Sequence, residues 1–438
     1  MTAHWLNNEF SQQRAVFRVM HFLESHTGKN ISEYLHKGLL SFEIPHTKIL
    51  IVLQDNAANT VTGVRNSGFK SIPCFIHKIQ LCIHDSILSQ QSVKEILVCC
   101  RRLATHFHHS PTAAAKLEAI QEQLGTNKHR LIQDVTTRWN SSYNMIERML
   151  DQRVPLATYT ADHATQSTLN SFQWGLLDKI FHNLEPFKTL TVNLSKRGAF
   201  LSDVIPSIMA LKVFFNQALV CEAFLSINNL VEQLKESVDK RLSIFLHDKY
   251  LCLSTFCDPR YKLMYQKEDE NVTKNWLNEQ MQEMQQHNLE LESSDSDCEE
   301  PTVSDTNEVF VKPAYPKFNE CFRLVSKLTT INECDSDFSI TKDSKRFKRS
   351  LSNVQMISMD IEEYLKLPLV MEKESPLLWW KNCGNSLKNL KKIAKRFLSA
   401  PPSSVESERL FSTGGSIYEL CRNRLSPESV RKINVYTL

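Results

Sequence analysis

One short apolar run constrains the fold of this 438-residue chain more than any other feature. Ile49-Leu50-Ile51-Val52-Leu53 is continuous, has the length of a strand, and is followed by the breaker pair Asp55-Asn56. A run of this kind predicts a strand that is covered on both faces. We therefore expect an α/β arrangement around it.

The rest of the first 150 residues agrees with that expectation. Residues 10–22 are rich in β-forming side chains, and residues 29–44 have the spacing of an amphipathic helix. Arg130 to Val135 predicts another strand. Residues 1–150 are thus predicted to be one α/β unit.

After residue 150 the sequence pattern changes from helical to linker-like and then back to helical. Residues 151–265 have helical spacing, with Ile208, Leu211 and Phe214 on one face. Residues 266–350 are acidic and then basic, which predicts a partly disordered linker. Residues 351–438 return to a helical pattern. The chain has only 10 glycines, which favours helix and leaves little material for glycine-rich phosphate loops.

The C-terminal pattern predicts one amphipathic helix followed by a second one. Ser375-Pro376 is a helix-start signal, apolar side chains then recur every three or four residues, and Pro401-Pro402 ends the pattern. Ser403 with Glu406 three residues later predicts a capping box. Lysines and arginines at 388–396 surround the apolar stripe, as a solvated helix face or as a phosphate-binding face.

Charge and cysteine content narrow the class of protein. The net charge is only +3, so nucleic-acid binding would have to come from local patches. No run of about 20 apolar residues is present, so no membrane span is expected. The 12 cysteines are scattered, as is typical of reduced thiols in a cytosolic or nuclear protein.

A series of short motifs extends along nearly the whole chain. They include Gln54-Asp55-Asn56-Ala57-Ala58-Asn59, Thr137-Arg138-Trp139-Asn140-Ser141, Asp258-Pro259-Arg260-Tyr261-Lys262, Pro376-Leu377-Leu378-Trp379-Trp380 and Ser407-Glu408-Arg409-Leu410-Phe411-Ser412. Their order resembles the hAT family of DNA transposases, and most closely the BED-type zinc-finger proteins derived from them. Only about residues 266–350 lack a counterpart.

The resemblance implies an α/β RNase H-like core interrupted by a large all-α insertion, with a helical C-terminal dimerisation segment that completes the core. Its catalytic triad is Asp, Asp, Glu, of which the second and third match Asp55 and Glu408. The first aspartate and the BED finger precede the stretch at which this chain begins. We therefore expect an N-terminally truncated core, a vestigial catalytic site and no enzymatic activity.

Further residues acquire candidate roles from the resemblance. Trp139 matches a position near the cleaved DNA end, where its ring could stack on a base; core packing is the alternative. The neighbouring Arg138 is a candidate DNA contact that could bind a phosphate or a carboxylate equally well. The C-terminal apolar residues could form a dimer interface or a core, and the resemblance favours the interface. They are Leu377, Trp379, Trp380, Leu387, Leu390, Ile393, Phe397 and Phe411.

The sequence offers two candidate metal sites. Magnesium or manganese would be expected only if the carboxylate triad were complete, because two-metal catalysis needs the full ligand set. Cys74, His77, Cys82 and His84 have suitable ligand types for zinc, but their spacing fits no usual finger, so structural roles are favoured. No metal or other cofactor is therefore expected.

These expectations give three hypotheses of function. The preferred one is a domesticated or degenerate transposase-like protein that forms homodimers or larger assemblies, resides in the nucleus rather than the cytoplasm, and has DNA or chromatin as a candidate partner. The second is a truncated product of an active DNA transposase. The third is an α/β protein whose motifs are structural relics.

Overall fold

The computed structural model describes residues 1–16, 22, 24–163, 168–263, 270–288, 317–330, 353–383 and 386–409, and within these ranges the chain is mainly helical. The strands are β1 Thr2–Leu6, β2 Gln12–Val16, β3 Val52–Gln54 and β4 Ser71–Pro73. The helices are α1 Gly28–Leu40, α2 Ala58–Asn66, α3 Phe75–Asp85, α4 Gln91–His109, α5 Pro111–Gln123, α6 Trp139–Asp151, α7 Arg153–Asp162, α8 Ser171–Leu194, α9 Val204–Val220, α10 Asn228–Leu246, α11 Lys249–Cys257, α12 Glu270–Asn288, α13 Phe318–Thr330, α14 Asn353–Lys366, α15 Pro376–Asn382 and α16 Lys388–Phe397.

The strands form two separate two-stranded sheets in the described part of the chain. β1 and β2 are antiparallel and form a hairpin, with Leu6 opposite Gln12. β3 and β4 are parallel, with Val52 opposite Ser71. β2 accounts for part of the β-rich stretch predicted at residues 10–22, of which residues 17–21 lie outside the described ranges.

The predicted strand at Ile49–Leu53 is present but shifted and shorter, because β3 begins only at Val52. The apolar run is half-buried along its length. Ile51 and Leu53 pack against one hydrophobic core of the protein, whereas Leu50 packs against the other. The run is apolar throughout because it lies between two cores.

The strand predicted at Arg130–Val135 is wrong, since this segment has no regular structure. Side chains, rather than a neighbouring strand, bind its backbone carbonyl groups. His108 Nε2 lies 2.9 Å from the carbonyl oxygen of Leu131, and Arg148 donates to that of Arg130 at 2.6 Å. A β-like sequence does not form a strand without a partner to complete its hydrogen bonds.

The two cores divide the chain differently from the predicted boundaries. The first contains side chains of α3–α10 and α13, so it extends across the predicted boundary at 150–151. The second contains Leu6 and Phe10 of the N-terminal hairpin together with α12 and α14–α16. α12 and α13 fall inside the predicted linker, yet each contributes buried side chains to a core.

The most apolar helix belongs to the first core. Residues Leu201–Val220 are long and apolar enough to span a membrane by composition alone. In the structure Leu211, Phe214 and Phe215 of α9 are almost fully buried against neighbouring helices, including α10 and α13. Core packing therefore accounts for the composition of this segment.

Helix α11 joins the two cores, because Leu251 and Cys252 belong to the first and Phe256 and Cys257 to the second. The last carbonyl groups of a helix lack partners within the helix. Here the C-terminal region supplies them. Tyr364 donates its hydroxyl to the carbonyl oxygen of Phe256 at 3.0 Å, and Trp380 Nε1 donates to that of Cys257 at 2.7 Å.

The motif that follows α11 is an ion-pair network with little exposure to solvent. Arg260 donates to Asp203 Oδ1 at 2.8 Å and to Asp258 Oδ2 at 2.7 Å, and its side chain is only 10% exposed. Tyr261 also donates to Asp203, at 2.8 Å. Burial alone would lower the pKa of Arg260, but the two carboxylates hold it above its ordinary value.

The last residue of the motif is a buried lysine that binds the end of another helix. Lys262 is 4% exposed, and its Nζ donates to the carbonyl oxygens of Tyr364, at 2.8 Å, and Leu367. These oxygens lie at the C-terminus of α14, where a positive charge is favourable. The motif thus attaches the C-terminal region to the helical body.

Replacing Arg260 should test this attachment. Arg260→Gln leaves two aspartates with little or no solvent access and without their cation, so we expect the free energy of unfolding to fall by about 3–5 kcal/mol. Urea denaturation of the variant measures the loss, with Arg102→Gln, at an exposed arginine of α4, as the matched control. A loss no larger than that of the control would contradict the role given to Arg260.

Candidate functional site

The parallel sheet brings the two distant carboxylate segments towards one edge. The carboxyl ends of β3 and β4 lie together, and the N–H of Cys74 donates to the carbonyl oxygen of Gln54 at 2.7 Å. The next N–H, of Phe75, donates to the carbonyl oxygen of Pro402 at 3.4 Å. The chain just before Glu408 therefore reaches the edge at which Asp55 follows β3.

Asp55 is exposed and has a local structural role. Its Oδ1 accepts a hydrogen bond from the N–H of Ala57 at 3.2 Å, immediately before α2. Asn56 between them has a φ of 69°, in the left-handed region that Asn tolerates better than most residues. The side chain of Asp55 thus closes a turn of the kind that Asp commonly forms with the backbone two residues on.

The two glutamates near the C-terminus contact different partners. Glu406 Oε1 accepts from Arg14 at 2.7 Å, and its Oε2 lies 3.7 Å from His4 Nε2. Glu408 Oε1 lies 3.4 Å from the hydroxyl of Ser404. The predicted pairing of Glu406 with Ser403 is wrong, because the Ser403 hydroxyl donates to the carbonyl oxygen of Leu194 at 3.3 Å.

Two of the four residues considered for zinc are buried, and His77 and His84 are half-buried. Cys74 and Cys82 are almost fully buried, and the Cys82 thiol lies 3.6 Å from the carbonyl oxygen of Ser237. Burial raises the pKa of Cys82 to about 12. Among the described residues, no three His, Cys, Asp or Glu side chains are grouped so that they could hold a metal ion.

The proposed DNA-contact residues separate into one exposed and one buried side chain. Arg138 is exposed just before α6. Trp139 is 2% exposed and packs edge-on against Tyr143 and Phe187 in the first core. Trp139 therefore forms part of the core in this structure, and its ring is not available to stack on a base.

Sequence reasoning missed a buried, hydrogen-bonded carboxylate next to these residues, hereafter the Asp134 anchor. Asp134 is buried and accepts two hydrogen bonds from Arg101 of α4, each at 2.8 Å, and one from Ser142 of α6 at 2.7 Å. Burial alone would raise the pKa of Asp134, but these hydrogen bonds hold it below its ordinary value. The anchor fixes the loop that carries Arg138. The charged pair, 33 positions apart, leaves no periodic signal in the sequence.

The predicted dimerisation residues lie largely inside one chain. Leu387, Leu390, Ile393 and Phe397 are fully buried in the second core, on the side of α16 opposite its lysines. Leu377 and Trp380 are buried in the same core, and Trp379 is partly buried against it. Phe411 lies outside the described residues. In this arrangement the apolar stripe forms a core, which is the alternative that the sequence left open.

Comparison with known proteins matches three segments of the chain to family models. Residues 1–67 match the family model of the ZBED1 RNase-like domain, and residues 72–183 match that of the ZBED1 RNase-like helical domain. Residues 360–435 match the hAT family C-terminal dimerisation region. The fold and these matches define a transposase-related protein with RNase-like domains.

Individual proteins with similar sequences agree with this class. The chain is 28% identical to human zinc finger BED domain-containing protein 4, with 87% of this chain and 30% of the relative covered. It is 26% identical to human zinc finger BED domain-containing protein 6, covering 82% and 37%, and 22% identical to a putative AC transposase of Zea mays, covering 99% and 53%. These matches fit a protein derived from the hAT transposases, and the chain spans about a third to a half of the length of these relatives.

The Asp134 anchor predicts a pH dependence of stability. A carboxylate whose pKa is lowered by folding stabilises the protein above its unfolded pKa, and this contribution is lost as the pH falls through the folded pKa. Asp134→Asn should lower the free energy of unfolding by about 1–3 kcal/mol at pH 7 and flatten its decline below about pH 4. Urea denaturation between pH 7 and 3 measures both effects.

Asp162→Asn is the matched control, because Asp162 is exposed at the end of α7. Its pH profile should be that of the wild type. If Asp134→Asn and the control give the same stability at pH 7, the anchor contributes nothing measurable.

Proposed function

We propose that this chain is a self-associating, transposase-derived binding protein of the nucleus that associates with DNA or chromatin and does not transfer DNA strands. The observation that carries the proposal is an exposed apolar surface within the region that matches the dimerisation family. The surface comprises Leu367, Leu369, Met371 and Leu378, hereafter the 367–378 surface. Their exposed fractions are 38, 38, 75 and 50%.

The 367–378 surface is held by the body of the same chain. The N–H of Val370 donates to the carbonyl oxygen of Pro259 at 3.1 Å, and the C-terminus of α14 is bound by Lys262. Exposed apolar side chains that are close in the sequence and stand on a fixed backbone favour a partner, because burial removes them from water at little cost in chain entropy. The match to a dimerisation region makes a second copy of this chain the proposed partner.

Substitutions on this surface should weaken self-association. Met371→Lys with Leu378→Lys places two charges in the proposed contact, so we expect the dissociation constant of the dimer to rise by about 10-fold or more. Sedimentation equilibrium of the full chain measures it. Val220→Lys with Leu225→Lys is the matched control, since these apolar residues are exposed elsewhere. Equal dissociation constants for the two double variants would contradict the proposed surface.

The proposed absence of catalysis is supported by the local contacts of the candidate carboxylates. Asp55 binds a backbone N–H at the start of α2, and Glu408 contacts the hydroxyl of Ser404 in the turn before it. The neighbouring Glu406 is paired with Arg14. Each group has a structural partner, and a two-metal mechanism would need carboxylates arranged around a pair of ions.

A strand-cleavage assay tests this part of the proposal. With magnesium or manganese and duplex DNA, the wild-type chain should give no more cleaved or joined product than Asp55→Asn with Glu408→Gln. Both substitutions keep the size of the side chain and remove its charge. Metal-dependent product from the wild type that disappears in the double variant would support an active transposase instead.

The proposed association with DNA is supported by a local concentration of positive charge. Lys388 and Lys392 are exposed on α16, and Lys395 on the same helix donates to Asn8 of the hairpin at 2.6 Å. Burial, followed by the charge of nearby Lys48, lowers the pKa of Lys395. Like charges held close together favour binding of an anion such as a nucleic-acid backbone. The names of the relatives, which include a putative transcriptional regulator, agree with a nuclear role.

A further inference from the structure

A cavity of about 250 Å³ lies between three segments that are far apart in the sequence. The hairpin contributes His4 and residues 12–14, the turn after α8 contributes residues 194–199, and the third wall comes from positions between 399 and 406. The volume is larger than a single ordered water needs. The cavity is therefore large enough for a small ligand, and none of the roles described above uses it.

Positive charge predominates around this cavity. Its lining contains Arg14, Lys196 and Arg197 but only one carboxylate, that of Glu406. Glu406 is paired with Arg14 at 2.7 Å, so its charge is largely neutralised. Burial lowers the pKa of His4, with Glu406 opposing and Arg14 adding to the shift. The charge that remains unmatched is that of Lys196 and Arg197.

The turn that carries these two cations is fixed in place. Gly198 has a φ of 86°, a conformation that most side chains would strain, and Ala199 donates to the carbonyl oxygen of Lys196 at 3.3 Å. The C-terminal segment binds both ends of the turn. Ser403 donates to the carbonyl oxygen of Leu194, and Leu201 N–H donates to that of Ala400 at 2.8 Å. The two cations that line the cavity therefore stand on a backbone held at both ends.

Lys196 and Arg197 differ in the hydrogen bonds that they can donate to a ligand. Lys196 Nζ lies 2.9 Å from Asn193 Oδ1, a neutral acceptor that leaves its charge uncompensated. Arg197 is exposed and offers a planar set of donors. A guanidinium and an ammonium beside neutral serine and glutamine side chains suit a tetrahedral oxyanion better than an apolar ligand.

We propose that this cavity binds a phosphate group through Lys196 and Arg197, with Arg14 and the neutral polar side chains completing the site. The phosphate could come from a free phosphate ion or from a phosphodiester backbone, since both present the same oxygens. The inference stands apart from the proposed function, because free phosphate alone would occupy the cavity.

Calorimetric titration of the full chain with inorganic phosphate at low ionic strength tests the site. Lys196→Gln with Arg197→Gln should weaken phosphate binding by about 10-fold or more, since charge-assisted hydrogen bonds are lost. Both side chains are exposed, so folding should be preserved. The matched control is Arg102→Gln with Lys240→Gln, which removes the same charge from other exposed positions and should bind as the wild type does.

Equal affinity of the two double variants for phosphate, or no binding by the wild type up to about 10 mM, would overturn the site. A second arm identifies the source by adding a duplex oligonucleotide to the phosphate-loaded protein. Displacement of phosphate by the oligonucleotide supports the site and assigns it to a nucleic-acid backbone. Phosphate binding that the oligonucleotide leaves unchanged supports the site and assigns it to free phosphate. In that second case any association with DNA would use a different surface, such as the lysines of α16.

Discussion

The structure depends on a short motif at the end of α11 that connects two hydrophobic cores. Arg260 neutralises two carboxylates that have little or no access to solvent, and Lys262 binds the carbonyl groups at the end of α14. Charges taken out of water are costly unless they are paired and hydrogen-bonded. The partners of Arg260 and Lys262 all lie in the same chain. The motif therefore fixes where the C-terminal region packs.

That packing decides which surfaces remain for partners. The aromatic side chains of Tyr364 and Trp380 complete the hydrogen bonds of α11, and the apolar face of α16 covers the second core. The matched dimerisation region is thus also a structural part of its own subunit. Among its described residues, the region leaves exposed the 367–378 surface and Lys388 and Lys392 of α16. The proposed self-association and DNA association use these separate surfaces.

The sequence predicted the features that depend on local chemistry. The start of α15 is confirmed, since the Ser375 side chain accepts from the N–H of Leu378 and Pro376 occupies the first turn. The helical spacing at 29–44 and in the middle of the chain is also observed. The single long helix predicted from Pro376 onwards is instead two helices. α16 is capped from outside, by Asp360 of α14, which accepts from the N–H of Asn389 at 2.9 Å.

The features that the sequence could not predict depend on distant partners. An apolar stripe such as Leu387 to Phe397 has the same spacing whether it faces another copy or its own chain, so only packing can distinguish a core from an interface. Trp139 follows the same logic, because a large aromatic ring suits a base or a core equally well. The Arg130–Val135 segment has β-forming residues, but side chains of α4, and not a neighbouring strand, form its hydrogen bonds.

Hydrogen exchange of the full chain at two protein concentrations tests the central claim that the apolar face of α16 is a core and that the 367–378 surface is the contact between copies. We expect the amides of α16 to be equally protected at both concentrations, because the burial of its apolar face does not require a second copy. The amides of 367–378 should lose protection on dilution. Protection of α16 that disappears on dilution, with 367–378 unchanged, would contradict the account.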